Sequence, residues 1–128
     1  MADKKPVETK DAPQAIGPYS QAIVTDGLLF CSGQIPLDPK TGDLVAGDIE
    51  HQAVRVLENL SGVVRAAGSD LSQVIKTTIF LTDLSHFAKV NEIYGRYFSK
   101  PFPARSTIQV VALPKGAAIE IEIIAKVL

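Results

Sequence analysis

The sequence has little of the residue types on which metal and thiol chemistry depend. It contains one cysteine, Cys31, and two histidines, His51 and His86, among 128 residues. One cysteine cannot form a disulfide within the chain, and two scattered histidines do not have the spacing of a zinc site. Cys31 lies in an apolar stretch without a basic neighbour, which favours a buried small hydrophobe over a nucleophile. The sequence therefore predicts no metal site and no cysteine chemistry.

Several other features of common protein classes are also missing. The chain has no apolar run of 18 residues, no glycine-rich phosphate loop and no GxSxG elbow. Its formal net charge is −1, which gives no electrostatic reason to expect nucleic acid or an anionic membrane as a main partner. Residues 1–13 mix both charge signs and lack the apolar centre of a signal peptide. We therefore expect a soluble, cytoplasmic protein.

What is present is an ordinary globular composition, with 46% hydrophobic and 21% charged residues. We expect a flexible N-terminal arm over residues 1–13, with a short edge strand as the alternative, and a single domain over residues 14–128. Asp26-Gly27 predicts a tight hairpin between strands Ala22–Thr25 and Leu28–Gly33. A helix is predicted over Ile49–Ala67, with Asp48 as its N-cap.

The second half of the chain continues with a strand over Val74–Leu81 and a helix over Ser85–Phe98. Two further strands, Ala104–Ala112 and Ala118–Val127, are predicted to form a hairpin. The order β-β-α-β-α-β-β predicts an α+β fold in which two helices cover one face of a sheet. Because the strands supply apolar side chains to both faces, we expect the second face to be buried in a homo-oligomer.

Charged residues in the last two strands are candidates for a site. Arg105 and Thr107 share one face of their strand, and Glu120 and Glu122 alternate with isoleucines in the other. Charges close to a core are costly unless they are paired or used, which favours a reaction or binding site. An ordinary half-exposed strand, with Arg105 as a structural ion-pair partner, is the alternative.

Four groups of motifs, taken together, resemble the RidA (YjgF/YER057c/UK114) family. They are GPYSQA at 17–22, CSGQIP at 31–36, KTTIFL at 76–81, and PARS at 103–106 with LPK at 113–115 and IEIE at 119–122. The resemblance implies a chorismate-mutase-like fold with a mixed sheet. It also implies a homotrimer whose sheets face a central barrel, with active sites in the clefts between subunits.

The resemblance further implies an enzyme that hydrolyses reactive 2-imino acids, such as 2-iminobutyrate and 2-iminopropionate, to 2-keto acids and ammonia. No cofactor or metal is expected. Arg105 matches the family's carboxylate-binding arginine, whose planar fork suits a carboxylate. Glu120 matches the acidic residue that positions or activates water, and Glu122 is the less favoured acid. A hairpin register would place Glu120 opposite Gln109, with space along the sheet for a small ligand.

The remaining residues implied by the resemblance bind substrate. Tyr19, Ser32, Gly33 and Asn91 match positions that line the family's cleft, and Asn91 could instead cap a backbone group. Thr107 stands where many members carry cysteine. Because imine hydrolysis needs no covalent nucleophile, we expect threonine to be compatible with activity.

Two other functions remain open. The same cleft could serve a non-catalytic ligand-binding or chaperone-like trimer. Some relatives are described as RNA-cleaving proteins or translation inhibitors, but the sequence supplies no histidine pair for such chemistry and its charge is slightly acidic.

Overall fold

One six-stranded sheet with two helices on one face makes up the computed structural model, which describes residues 3–127. The strands are β1 (Lys5–Val7), β2 (Ala22–Thr25), β3 (Leu28–Gln34), β4 (Val74–Leu81), β5 (Ala104–Gln109) and β6 (Ile119–Lys126), and the helices are α1 (Ile49–Ala66) and α2 (Phe87–Tyr97). The strand order is β1-β2-β3-β6-β4-β5. β4 and β5 run parallel, and the other pairs are antiparallel. The predicted mixed α+β sheet is confirmed.

The hairpin between β2 and β3 is confirmed with its predicted turn. Asp26 and Gly27 have φ values of 51° and 74°. Positive φ at both central residues is the geometry of a two-residue turn whose twist matches that of the strands. β3 continues one residue beyond the predicted end, to Gln34.

Both helices form close to their predicted positions. The Asp48 carboxylate accepts hydrogen bonds from the backbone N–H groups of Glu50 and His51, at 3.1 and 3.2 Å, and so caps α1. The apolar side chains of α1, among them Val56, Leu57 and Leu60, are buried on the side of the helix that contacts β3 and β6. α2 starts two residues later than predicted, because Leu84–His86 form a single turn of 3₁₀ helix.

The predicted C-terminal hairpin is wrong. β5 lies at the edge of the sheet and pairs with β4, whereas β6 lies between β3 and β4. Glu120 is therefore opposite Phe80 and not Gln109. The burial of the two strands explains this order. Alternate side chains of β6 are buried, as an internal strand requires, whereas most side chains of β5 are exposed.

The N-terminal segment contains the edge strand that was the alternative to a flexible arm. Lys5–Val7 pairs with β2. Farther along, the buried side chain of Gln21 accepts a hydrogen bond from the Thr9 N–H and donates to the carbonyl of Pro13, both at 2.7 Å. The flexibility of residues 1–13 and the domain boundary after residue 13 stay predictions. Residues 1 and 2 of the predicted arm lie outside the described residues.

The sheet face away from the helices carries exposed apolar side chains. Phe30 is 42% exposed and Ile108 is 46% exposed. The inner face, in contrast, buries Ile79, Ile121 and other side chains under α1 and α2. No helix within residues 3–127 has the length and apolar character needed to cross a membrane.

Candidate active site

The guanidinium of Arg105 lies on an aromatic surface that α2 presents to β5. Its central carbon is 5.3 Å from the centre of the Phe87 ring and 4.9 Å from that of Tyr94. Its Nη1 donates a hydrogen bond of 2.7 Å to Oδ1 of Asn91. Phe87, Asn91 and Tyr94 stand at positions i, i+4 and i+7, which places all three on one side of a helix. The helix therefore holds the guanidinium by cation–π contacts and one hydrogen bond.

This cation is open to an external anion. Arg105 is exposed and, within residues 3–127, forms no ion pair with a carboxylate. A guanidinium has five N–H donors in one plane, so the bond to Asn91 leaves most of them available. Thr107 lies two residues farther along β5 and shares the same face of the strand. The arrangement suits the binding of a small carboxylate.

A buried hydrogen bond holds the aromatic surface in place. The Tyr94 hydroxyl and the Thr77 hydroxyl of β4 are 2.9 Å apart. The Tyr94 ring also packs on Phe98, with 4.4 Å between ring centres, and burial raises the pKa of the phenol. Phe87 and Tyr94 were not identified from the sequence as the surface beneath Arg105. Their spacing around Asn91 was the signal that could have identified this role.

A second group of predicted residues lies around a cavity of about 530 Å³. Tyr19, Ser32, Gly33 and Glu120 line it together with apolar side chains, among them Ile35. Ser32 and Gly33 belong to a bulge, because the pairing of β3 with β6 shifts register between Cys31 and Gln34. Bulges reorient side chains and expose backbone groups, which is common at sites. The Ser32 hydroxyl donates a 2.6 Å hydrogen bond to the carbonyl of Ser20.

Glu120 has the electrostatic environment of a proton-transfer group. Burial raises the pKa of its carboxyl above the ordinary value, and the charge of Glu122 raises it further. Glu122 lies two residues along the same strand and is exposed. A carboxylate whose pKa is raised by its surroundings, in a cavity, is a candidate general base.

Arg105 and Glu120 do not share one site within a chain. In the sheet register Glu120 of β6 is level with Phe80 of β4, and Phe80 is level with Ile108 of β5. Ile108 is thus two strands away from Glu120, and Arg105 is three residues before Ile108 on the same strand. Strand spacing and rise then place the Cα atoms of Arg105 and Glu120 about 14 Å apart. The side chains also point to opposite faces, because Arg105 is level with the inward-facing Thr77 and Glu120 alternates with inward-facing isoleucines. The expected ligand space between them along the sheet is therefore wrong for a single chain.

The structure thus divides the predicted residues into two groups. Arg105 and Asn91 are in contact beside α2, with Thr107 on the same face of β5. Tyr19, Ser32, Gly33 and Glu120 surround the cavity on the other side of the sheet.

Cys31 and His51 lie outside both groups of predicted site residues. Cys31 is buried on the inner face of β3, and burial, followed by the charge of Glu122, raises the pKa of its thiol to about 12. The burial confirms the predicted packed side chain, and the raised pKa favours the protonated thiol over the nucleophilic thiolate. His51 is exposed beside Asp48. In the described part of the chain, no three His, Cys, Asp or Glu side chains are grouped to hold a metal ion.

Comparison with known proteins relates this fold and these two groups to one family. A family model described as Endoribonuclease L-PSP matches residues 9–127. The chain belongs to this family. It is the RidA family that the sequence motifs resemble, and solved structures of RidA and Rid proteins share the fold.

Three relatives show how close the similarity is. The human protein named 2-iminobutanoate/2-iminopropanoate deaminase is 48% identical over 122 residues, which are 95% of this chain and 89% of that protein. A Rid family protein from Yersinia pestis, YyfA, is 55% identical with a TM-score of 0.95, over 98% of this chain and all of that one. TdcF from E. coli, solved with bound serine, is 44% identical with a TM-score of 0.90, over 96% and 98% of the two chains.

Proposed function

We propose that this protein is a hydrolytic deaminase that converts reactive 2-imino acids, such as 2-iminobutyrate and 2-iminopropionate, to 2-keto acids and ammonia. The observation that carries the proposal is the exposed Arg105 guanidinium, held on an aromatic surface and, among residues 3–127, without a carboxylate partner. The human relative with 48% identity is named for this activity. A small substrate with a carboxylate would suit both the Arg105 guanidinium and the activity for which the human relative is named. The serine bound in the TdcF structure is also a small carboxylate.

Arg105 would bind the substrate carboxylate and thereby place the imine carbon. Two parallel N–H donors to the two carboxylate oxygens fix both the position and the plane of the ligand. Asn91, whose Oδ1 accepts a hydrogen bond from Nη1 of Arg105, fixes the rotation of the guanidinium plane. Such positioning lowers the entropic part of the barrier to attack by water.

Glu120 would move the protons. As a carboxylate it accepts a proton from the water whose oxygen bonds to the carbon of the protonated imine, which gives a carbinolamine. The same group then delivers its proton to nitrogen. As the C–N bond breaks and ammonia leaves, the carbinolamine hydroxyl gives its proton to the Glu120 carboxylate and the C=O bond forms; the carboxyl then loses that proton to solvent. Water supplies the oxygen, and no net oxidation occurs. The raised pKa of Glu120 makes its carboxylate a stronger base than an ordinary glutamate, which suits a group that takes a proton and returns it.

The complete site would lie between copies of the chain. Arg105 and Glu120 face opposite sides of the sheet, so one small substrate cannot touch both in one chain. Exposed Phe30 and Ile108 provide an apolar surface that a second copy can cover. We propose the homotrimer that the family resemblance implies, with Arg105 of one copy beside the Glu120 cavity of its neighbour. The metal-free, cofactor-free reaction and the cytoplasmic location stay predictions.

The first test is imine hydrolysis. An amino-acid oxidase generates 2-iminopropionate or 2-iminobutyrate in the assay, and semicarbazide traps what remains. We expect less trapped imine with the wild-type protein and no such effect with Arg105→Ala. Arg65→Ala is the matched control, because Arg65 is exposed on α1 and touches neither group. Unchanged trapping with the wild-type protein across several imino acids would contradict the proposal.

A binding protein without turnover is the second candidate, favoured by the serine bound to TdcF. Calorimetry that shows tight binding of a keto acid, with no effect on imine trapping, would support it. The family description also names an endoribonuclease. Neither His51 nor His86 lines the Glu120 cavity, so this cavity lacks a histidine for RNA cleavage. RNA cleavage by highly pure protein, lost in Arg105→Ala, would instead support the nuclease.

A further inference from the structure

Gly33 is a glycine whose backbone does not require one. Its φ is not positive, unlike that of Gly27 in the hairpin turn. It lies within β3 and is exposed, so close packing in the hydrophobic core does not require a glycine there. Glycine in a strand weakens the strand and often marks a close approach by another group. The position therefore needs a reason other than backbone conformation.

The reason lies in the side chain of Glu120. A Cβ added to Gly33 would be 2.3 Å from Oε2 of Glu120, 2.7 Å from its Cδ and 3.0 Å from its Cγ. These are the three nearest heavy atoms, and real Cβ atoms do not approach so closely. The carboxyl group thus occupies the space directly above the Gly33 backbone, where any other residue would place its side chain.

We propose that Gly33 is a positioning residue for Glu120: its missing side chain lets the carboxyl lie against β3 at the wall of the cavity. The inference rests on the proposed deaminase function, in which Glu120 moves the protons. It gives Gly33 a role distinct from lining the substrate cleft. The bulge at Ser32 and Gly33 supplies the local geometry, because it interrupts the ladder directly beside β6.

The position of the carboxyl also controls its protonation. Burial is the largest cause of the raised pKa of Glu120, and Glu122 is the second. In the described part of the chain, Tyr19 and Lys115 are the other ionisable groups that line the cavity. A methyl group at position 33 would push the carboxyl off β3 and into the cavity, where it meets water. Its pKa should then fall toward the ordinary value.

The test is Gly33→Ala in the full-length protein. The fold should survive, because the atoms that must move are at the free end of a flexible side chain. We expect kcat to fall roughly 10- to 100-fold, the size of effect that a small misplacement of a reacting group produces, with KM little changed. The acidic limb of the pH–rate profile should move to lower pH.

Gly95→Ala is the matched control, because no atom of residues 3–127 lies within 4 Å of a Cβ at that exposed position of α2. We expect normal activity and, since alanine favours helix, an unchanged or slightly higher melting temperature. A loss of activity equal to that of Gly33→Ala would show that the effect does not come from Glu120 and would overturn the proposal.

A double-mutant cycle separates positioning from substrate contact. In a Glu120→Gln background the catalytic carboxyl is already absent, so adding Gly33→Ala should cause no further loss of kcat. An equal further loss in that background would mean that Gly33 acts on the substrate directly, and the proposal would be wrong.

Carboxyl titration by NMR tests the positioning without any assay of turnover. The Glu120 carboxyl carbon is assigned as the signal lost in Glu120→Gln and is titrated in the wild-type protein and in Gly33→Ala. A lower pKa in Gly33→Ala supports the proposal even if the protein hydrolyses no imine, in which case only the deaminase function fails. An unchanged pKa overturns the proposal whatever the activity.

Discussion

Asn91 and Glu120 are the residues at which local contacts bear most directly on the proposed chemistry. Asn91 accepts from Nη1 of Arg105 and so orients a cation that would bind substrate. Glu120 lies on the other side of the sheet, with its carboxyl against Gly33. One acts on binding and the other on proton transfer, so their substitutions should affect different kinetic constants.

Asn91→Ala should weaken binding more than turnover. The substitution removes the acceptor that fixes the guanidinium but leaves the aromatic rings beneath it. Because a hydrogen bond to a charged group contributes about 1.5 kcal/mol or more, we expect KM to rise about tenfold with kcat nearly unchanged. Steady-state kinetics of imine hydrolysis measure both constants. An equal fall in kcat would instead connect Asn91 with the chemical step.

Glu120→Gln should lower kcat and yet stabilise the fold at higher pH. The folded protein raises the pKa of Glu120, chiefly by burial, so it favours the protonated form. The Glu120 carboxyl contributes its full stabilisation of the fold at pH values below its pKa in the unfolded protein. That contribution is lost as the pH rises through its pKa in the folded protein. Glutamine stays neutral and escapes that loss.

Thermal unfolding from about pH 4, near the ordinary glutamate pKa, to about pH 8 measures this effect. The melting temperature of Glu120→Gln should exceed that of the wild-type protein by an amount that grows with pH. A difference in melting temperature that does not depend on pH would mean that folding does not raise the pKa of Glu120.

α2 is the element that connects packing to the site. One side of this helix carries Phe87, Asn91 and Tyr94 to Arg105, while Val90 and Ile93 are buried in the core. The Tyr94 hydroxyl ties the helix to Thr77 in the centre of β4. A change in that bond should alter the stability of the fold without removing the aromatic ring from Arg105.

Tyr94→Phe should therefore destabilise the protein and leave activity nearly intact. The buried Thr77 hydroxyl loses its partner, which costs about 1–3 kcal/mol in the free energy of unfolding. The ring stays beneath the guanidinium, so kcat/KM should remain within about twofold. Denaturant unfolding and imine kinetics test the two parts.

The double variant Tyr94→Phe with Thr77→Val is the control for the unpaired hydroxyl. It removes both polar partners, so stability should return close to that of the wild-type protein. Failure to recover would show that the loss in Tyr94→Phe does not come from the hydroxyl of Thr77.

The whole molecule decides whether the two groups of residues form one site. Within a chain the sheet separates them, and its outer face keeps Phe30 and Ile108 exposed. In the proposed assembly, a neighbouring copy covers the apolar face and also brings its own side chains to the cavity that Glu120 lines.

Complementation between two inactive variants tests this assembly. Arg105→Ala and Glu120→Gln are co-expressed and purified together, so that mixed oligomers form. If each site takes Arg105 from one copy and Glu120 from another, about a quarter of the sites in a random mixture contain both wild-type residues. We expect activity close to that fraction. Activity no higher than that of either variant alone would place the site within one chain.

The sequence alone was sufficient for features that depend on neighbouring residues. Asp26-Gly27 predicted the hairpin, Asp48 predicted the start of α1, and the apolar setting of Cys31 predicted an inert thiol. Each follows from local conformational preference or from periodic burial. The joint motifs also identified the family, because they span almost the whole chain.

Only the tertiary structure could decide the order of the strands. A proline- and glycine-containing link such as Leu113–Gly116 is compatible with a hairpin, but burial of β6 on its inner face favours a central position, between β3 and β4. That order places Glu120 against Gly33 and separates it from Arg105. Long-range pairing depends on the competition among all strands for the core, and a local pattern contains no record of that competition.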